Sequence, residues 1–357
     1  MSIEFKTLAI FGFFAFGLSL GLTAWCKTLA RRFEVVSSPR VDRWRRDPVP
    51  LLGGVAIYLA VMIPNVLLWS ALSDSMRLVI AAGSVIFLLG LVDDLRPLRP
   101  RTKLAVEIIV AGGLVASGLQ LRLTEHQWLN VTITLVWVVG IVNAFNLLDN
   151  MDGLAAGTAL IAGGFRLALF LVDGNAPEAL MAAVFMGATA GFLFYNLHPA
   201  SIFMGDAGSL FVGFYLASLS LIGDWPYSRG IASVLVVPVL ILLVPIFEAT
   251  LVTVTRLLTG RPISEGGRDH ASHRLVVLGL SEPGAVKLLY AVAVGSGLLG
   301  LLSYRYGLSR TFVLIAFLGI GMLILGARLA AAGPHFEDAS EDDAAAPDAP
   351  PSPRTGH

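Results

Sequence analysis

Acidic and amide side chains in this sequence collect where apolar runs end. Asp93 and Asp94 close one run in LVDDLRPLRPRTK, followed by Arg96, Arg99, Arg101 and Lys103. Asn146, Asp149 and Asp152 close another in NAFNLLDNMDGLAAG, Asp206 lies in HPASIFMGDAGSL, and Asp269, His270, His273 and Arg274 lie in GGRDHASHRL. Paired carboxylates beside clustered cations suit a metal ion and a phosphate together, because Mg²⁺ takes one or two carboxylates plus phosphate oxygens. Glycines around Asp206 let backbone approach a ligand, and a helix N-terminus attracts anions. Asn143, Asn146 and Asp149 are three apart and lie near one helical face. Asp152 falls past the helix end, folded back at Gly153.

Each motif also has a plainer reading. Asp93 and Asp94 can be solvated acids at a helix end, and the Asn143–Asp149 series can hydrogen-bond between helices. Asp206 can be an N-cap, and Lys103 can pair with Glu107 four residues on. Histidines three apart raise zinc, but zinc needs more ligands and the single cysteine, Cys26, is remote. Histidine, arginine and glycine fit a nucleotide or sugar-phosphate clamp better. Glu248 and Arg166 are charges within apolar stretches, hence functional candidates by default. Arg166, far from the motif face, reads as structural or snorkelling.

The elements that must position these groups are membrane spans. The 357 residues are 56% hydrophobic and only 14% charged, with a mean hydropathy of +0.77, against about 25% charged in a soluble domain. Lys+Arg 25 balances Asp+Glu 25, so no net field recruits nucleic acid. Apolar runs recur from Thr7–Cys26 to Thr311–Ala327; at roughly 17–20 residues per crossing they predict an all-α polytopic protein with about eleven (ten to eleven) transmembrane helices. Thr7–Cys26 is long for a signal peptide and lacks a basic leading region. Pro238 and Pro245 predict a bend or break within Arg229–Leu257. Basic residues concentrate after the first, third and ninth spans, which puts the N-terminus outside and the motifs at the cytoplasmic face. Residues 1–330 form the transmembrane domain; from Ala331 the composition shifts to Ala, Pro, Asp and Glu, a disordered cytoplasmic tail over 331–357.

Taken together, DPVPLLGG at 47–54, DDLRPLRPRTK at 93–103, NAFNLLDNMDG at 143–153, FMGDAGS at 203–209 and DHASHRL at 269–275 resemble the polyprenyl-phosphate N-acetylhexosamine-1-phosphate transferase family. That family is related to the phospho-N-acetylmuramoyl-pentapeptide transferases, the alternative assignment. The resemblance implies a plasma-membrane enzyme that moves a sugar-1-phosphate from a UDP-N-acetylhexosamine to undecaprenyl phosphate, releasing UMP, in a cell-envelope polysaccharide pathway. It implies Mg²⁺, with Mn²⁺ as a substitute, and allows a homodimer. By motif position it implies that Asp93 and Asp94 orient or deprotonate the lipid phosphate, that Asp206 and Asn146 hold the metal, and that Asp149 and Asp152 are nucleotide-side and catalytic acids. His270, His273 and Arg274 correspond to a donor clamp, and Arg46, Lys103 and Asn196 complete the substrate-binding set. Two departures stand out: Asn150 occupies a position where members often carry glycine, and the first loop lacks the usual histidine, leaving Arg46 as its cation. The HxxHR pattern favours the hexosamine branch.

A secondary transporter is the alternative from another class, but its polar residues belong near the bilayer midplane, whereas these gather at one face. A phosphate monoester, with a second pKa near ~6, is mostly dianionic at pH 7. Direct attack by the lipid phosphate therefore needs no strong base, and a double displacement through a phospho-aspartate stays open. The charge asymmetry predicts that cysteines introduced at Ser38 and Ser264 are labelled from the cytoplasm and one at Ser228 from the opposite side. Labelling of all three from one side overturns the topology.

Overall fold

The computed structural model describes residues 5–37, 48–222, 231–262, 267 and 269–332. Thirteen α-helices are formed among them: α1 (Phe5–Arg32), α2 (Gly53–Leu67), α3 (Asp74–Leu95), α4 (Pro100–Ala116), α5 (Gln127–Leu148), α6 (Leu154–Asp173), α7 (Ala176–Asn196), α8 (Gly205–Leu219), α9 (Ile231–Ile241), α10 (Leu243–Leu258), α11 (Ala271–Val277), α12 (Glu282–Tyr306) and α13 (Leu308–Ala331). The only β pairing among the described residues is an isolated bridge, Val36 with Pro50. Arg46, the labelling positions Ser38, Ser228 and Ser264, and the tail beyond Ala332 lie outside the described residues.

Seven helices, α1, α3, α5, α6, α7, α12 and α13, are long and apolar enough to cross a membrane. The α9–α10 pair makes an eighth if counted as one bent span. The other apolar runs form α2, α4 and α8, of 15, 17 and 15 residues. At 1.5 Å per residue these reach about 22–26 Å, short of the roughly 30 Å hydrocarbon core. The bend expected between Arg229 and Leu257 is present: α9 and α10 meet at 81° across Leu242. Pro245 has no N–H to give the carbonyl four residues earlier, which favours the break at this junction.

α8 is the centre of the bundle. Apart from Asp206, every residue from Gly205 to Leu219 is buried, as expected of a helix apolar on all sides. α2, α3, α5 and α6 surround it. Glycine sets the spacing. A Cβ at Gly90 of α3 would lie 2.4 Å from the Asp206 carbonyl oxygen, and one at Gly54 of α2 would lie 2.2 Å from the Gly208 nitrogen. Both helices therefore meet α8 backbone to backbone. On the far side α1 packs along α7, where the Ser19 hydroxyl donates to the Ala188 carbonyl at 2.6 Å. α13 is the opposite case, with only 6% of its most apolar window buried.

Gly90→Ala should force α3 away from the first turn of α8. Overpacking of this kind costs about 1–3 kcal/mol, so the thermal midpoint in detergent should fall. Gly112→Ala in α4, where a Cβ meets nothing within 4 Å, should show no loss. Equal behaviour of the two variants would remove the close-approach argument.

Candidate active site

The connections after α1, α3, α5, α7 and α10 converge at one end of the bundle. The first is stitched to the α7–α8 connection: Phe203 N–H donates to the Pro50 carbonyl at 2.9 Å, Gly53 N–H to Phe203 at 3.0 Å, and Gly54 N–H to Met204 at 2.9 Å. The described part of the DPVPLLGG segment, residues 48–54, and FMGDAGS therefore lie side by side.

Asp94, at the end of α3, reaches the first turn of α8. Its Oδ1 accepts from Asp206 N–H at 2.8 Å and its Oδ2 from Ala207 N–H at 3.0 Å. The first N–H groups of a helix have no partner within it, and a carboxylate there also complements the helix dipole. This corrects the N-cap reading of Asp206. The cap position is Met204, with no side-chain cap bond, and Asp94 does the capping from another helix. Gly205, at φ +68°, is needed in the same turn because a Cβ would lie 2.5 Å from Asp94 Oδ2.

With its backbone satisfied from α3, the Asp206 side chain is free to serve the site. Lys103 Nζ donates to Asp206 Oδ2 at 2.8 Å and to Asp93 Oδ2 at 2.8 Å. Lys103 thus joins two acids on different helices rather than pairing with Glu107, whose carboxylate accepts instead from the Asn143 amide. Asp93 Oδ1 also accepts from Leu98 N–H at 2.6 Å, which fixes the α3–α4 turn. The Asn146 amide donates to Asp206 Oδ1 and to Ser209 Oγ, each at 3.0 Å. Asp93, Asp94, Lys103, Asn146 and Asp206 therefore form one cluster. Asp149, the cap residue closing α5, lies within electrostatic reach of Asp94.

Beyond α5 the chain turns through residues 149–153, and Asp152 lies past the helix end as the spacing indicates. Asp152 Oδ2 accepts from Ala200 N–H at 2.9 Å and pairs with His198 Nδ1 at 3.1 Å. Asn196 is buried, with Oδ1 accepting from Gly153 N–H at 3.2 Å and Nδ2 donating to the Ile202 carbonyl at 2.9 Å. Both ends of its amide hold backbone, so here it fastens the acidic turn to the α7–α8 connection instead of facing a ligand. The Tyr290 hydroxyl donates to the Gly153 carbonyl from α12.

A second cluster holds the histidine segment. Arg256 grips Asp269 through Nε at 2.7 Å and Nη2 at 2.8 Å. Partial burial favours the neutral acid, but this two-point ion pair outweighs it and holds the Asp269 carboxyl below its ordinary range. His270 Nδ1 lies 2.7 Å from Glu248 Oε1, and Ala271 N–H donates to Glu248 Oε2 at 3.1 Å. Ser272 Oγ donates to Asn150 Oδ1 at 2.6 Å. His273 is fully buried, edge-on to the His270 ring. Arg274 spends its guanidinium on carbonyls: Nε on Asp269 at 2.8 Å, Nη1 on Leu329 at 2.7 Å and Ala330 at 3.2 Å. It ties this segment to the C-terminus of α13, where cations are favoured. Arg166 is buried in α6, donates to the Leu219 carbonyl and lies over the Phe170 ring; it is structural and does not snorkel.

Sequence reasoning missed Asn150 as a contact, together with Ser272, Ser209, His198 and Arg256. Asn150 alone carried a signal, as a departure from glycine.

The chain is similar to known proteins along most of its length. The family described as Glycosyl transferase family 4 matches residues 76–224. The chain is 34% identical over 313 residues to a probable undecaprenyl-phosphate N-acetylglucosaminyl 1-phosphate transferase of Bacillus subtilis (strain 168), covering 84% of this chain and 87% of that one. It is 32% identical over 324 residues to the decaprenyl-phosphate N-acetylglucosaminephosphotransferase of Mycolicibacterium smegmatis, covering 81% and 80%. A phospho-N-acetylmuramoyl-pentapeptide-transferase of Wolbachia pipientis wMel is 31% identical over 242 residues, covering 61% and 73%.

The Asp269–Arg256 pair makes a pH prediction. A carboxyl depressed in the folded state contributes stability above its unfolded pKa, near ~3.9, and loses it as pH falls through the folded value. Asp269→Asn should therefore be destabilised at pH 7, by about 1–3 kcal/mol for a charge-assisted pair that is partly buried. The gap to wild type should close in melts carried below about pH 4. A gap independent of pH would disprove the charge contribution.

Proposed function

The chain belongs to glycosyl transferase family 4, and from that membership we propose that it transfers N-acetylglucosamine-1-phosphate from a UDP-sugar to undecaprenyl or another polyprenyl phosphate. A lipid phosphate oxygen attacks the sugar-bearing phosphorus of the donor. The bond from that phosphorus to the bridging oxygen breaks, and UMP leaves with the electron pair. The product is a polyprenyl diphosphate sugar, the first lipid-linked intermediate of a cell-envelope polysaccharide pathway. In this reading the apolar runs form eleven spans in the plasma membrane, with α2, α4 and α8 as short spans packed against the longer helices, and the site faces the cytoplasm, where the nucleotide donor is found.

The observation that carries the reading is the cluster in which Lys103 bridges Asp93 and Asp206 while Asn146 meets Asp206 from α5. Phosphoryl transfer is chiefly alignment and charge stabilisation, and this cluster offers both signs of charge at helix ends. The donor set fits Mg²⁺. The Asp206 carboxylate is a hard oxygen ligand, and the Asn146 amide presents its oxygen when turned over, an orientation that hydrogen-bond networks assign. Among the described residues no three His, Cys, Asp or Glu side chains group as a metal cage, so the remaining ligands would come from phosphate and water. When bound, Mg²⁺ would neutralise charge on the donor diphosphate. Lys103 is the cation already at hand for the incoming phosphate. Asp93, held by Leu98 N–H and Lys103, orients the acceptor, which is dianionic at pH 7 and needs no strong base. Asp94 keeps the α8 turn, and with it Asp206, in register. Asp149 and Asp152 serve the nucleotide side, with the histidine segment next to them.

The direct test incubates membranes containing this protein with labelled UDP-sugars and undecaprenyl phosphate and extracts lipid-linked label. Label should pass from UDP-N-acetylglucosamine, should require Mg²⁺ or Mn²⁺, and should stop on chelation; full activity after exhaustive chelation refutes the metal role. Asp206→Asn is the sharper variant, since capping of α8 belongs to Asp94. The protein should fold and insert, yet lose turnover at least ~10²-fold, equivalent to about 2.7 kcal/mol. Near-normal transfer by folded Asp206→Asn would remove Asp206 from the site.

A further inference from the structure

Glu248 has no part in the transfer described above, yet it is 1% exposed and is met by two separate segments, the histidine segment and the turn after α5. A buried carboxylate is tolerated only where partners satisfy it. Here Oε1 lies 2.7 Å from His270 Nδ1 and 3.4 Å from Asn150 Nδ2, while Oε2 accepts from Ala271 N–H at 3.1 Å. The 81° break before α10 brings its second turn, and Glu248 with it, against the histidine segment.

Asn150 completes the arrangement. Its amide donates to the Leu147 carbonyl at 2.7 Å, ending α5, and its Oδ1 accepts from Ser272 Oγ. The turn bearing Asp149 and Asp152 is thus tied to the histidine segment directly by Asn150–Ser272 and indirectly through Glu248 of α10. Glycine at 150 would make neither. A carboxylate on one imidazole nitrogen fixes the ring's tautomer and orientation, leaving Nε2 for other partners.

We propose that Glu248 is a positioning residue for donor binding: it orients His270 and, with Asn150 and Ser272, makes the acidic turn after α5 and the histidine segment one rigid unit. The inference rests on the transferase reading above. It concerns a residue that touches no substrate and acts only through His270 and the turn.

The test is a double-mutant cycle on the full-length protein in detergent, using UDP-N-acetylglucosamine and undecaprenyl phosphate as substrates. Glu248→Gln keeps the volume and removes the charge. It should raise KM for the UDP-sugar about tenfold, the scale of a lost charge-assisted hydrogen bond. It should leave kcat within about threefold and KM for the lipid unchanged, a split that general loss of structure does not give. His270→Ala should raise the same KM, and the double variant should be no worse than His270→Ala, because residues acting through one another are not additive. Multiplicative effects, or equal losses toward both substrates, overturn the proposal. If Glu248→Gln fails to fold, Asn150→Ala and Ser272→Ala, alone and together, take its place. They should give one shared rise in donor KM, and an unchanged donor KM in both overturns the proposal. A wild-type protein that transfers no label defeats the transferase reading itself and this inference with it; active wild type with an indifferent Glu248→Gln defeats this inference alone.

Discussion

Inside a helical bundle the first amides of a buried helix have no water to turn to, and α8 begins where it is already enclosed. Asp94 answers that need with both carboxylate oxygens. For the contact to form, the end of α3 must lie against the first turn of α8, and Gly90 removes the side chain that would prevent it. The rest of the acidic cluster follows from this geometry. Asp93 is one residue before the capping acid and Asp206 is on the capped turn, so both come within reach of one lysine. Cap, metal-ligand candidate and phosphate-binding cation are thus set by a single interhelical distance.

A second unit is built differently. The histidine segment is fastened at Asp269 by Arg256, at His270 and Ala271 by Glu248, at Ser272 by Asn150, and at Arg274 by the end of α13. The turn at 149–153 connects the two units, and Asn196 and Tyr290 hold it at Gly153, one through its N–H and the other through its carbonyl. One unit is a set of charges ready for phosphates, and the other is a braced segment beside it. In the proposed transfer these correspond to the reacting centre and the donor side.

How much of this was legible in the sequence depended on whether the signal was local. Helices show as apolar runs, and the break before α10 shows as Pro238 and Pro245. The acids are visible because charge at the end of an apolar run is costly unless used. Partners across the fold are a different matter. Nothing near Asp94 shows that its carboxylate caps a helix 112 residues later, and the N-cap alternative falls on Asp206, which has the right residue type at the right place. Lys103 has a helical neighbour in Glu107 at ideal spacing, and the pull of two acids at its other side is tertiary. Asn196 and Arg274 are polar residues among motif residues, and only the fold shows their side chains spent on backbone groups. Chain geometry also explains the span count: α2, α4 and α8 are apolar but short, and length alone does not class them with the seven longer helices.

The separation between Asp94 and its partners bears on how the protein is made. A ribosome adding about 5–20 residues per second needs roughly 6–22 seconds to travel the 112 residues from Asp94 to the α8 amides. Throughout that interval Asp94 stands at the end of α3 with no α8 to receive it, while Asp93 already has Leu98 N–H and Lys103 within ten residues. Glu107 waits a third as long, since Asn143 follows after 36 residues. Asn150 must wait for Ser272, 122 residues on, so the braced segment forms only after α10 is in place. Nascent chains ending before α8 therefore hold Asp94 without the two amides that its carboxylate meets in the finished fold.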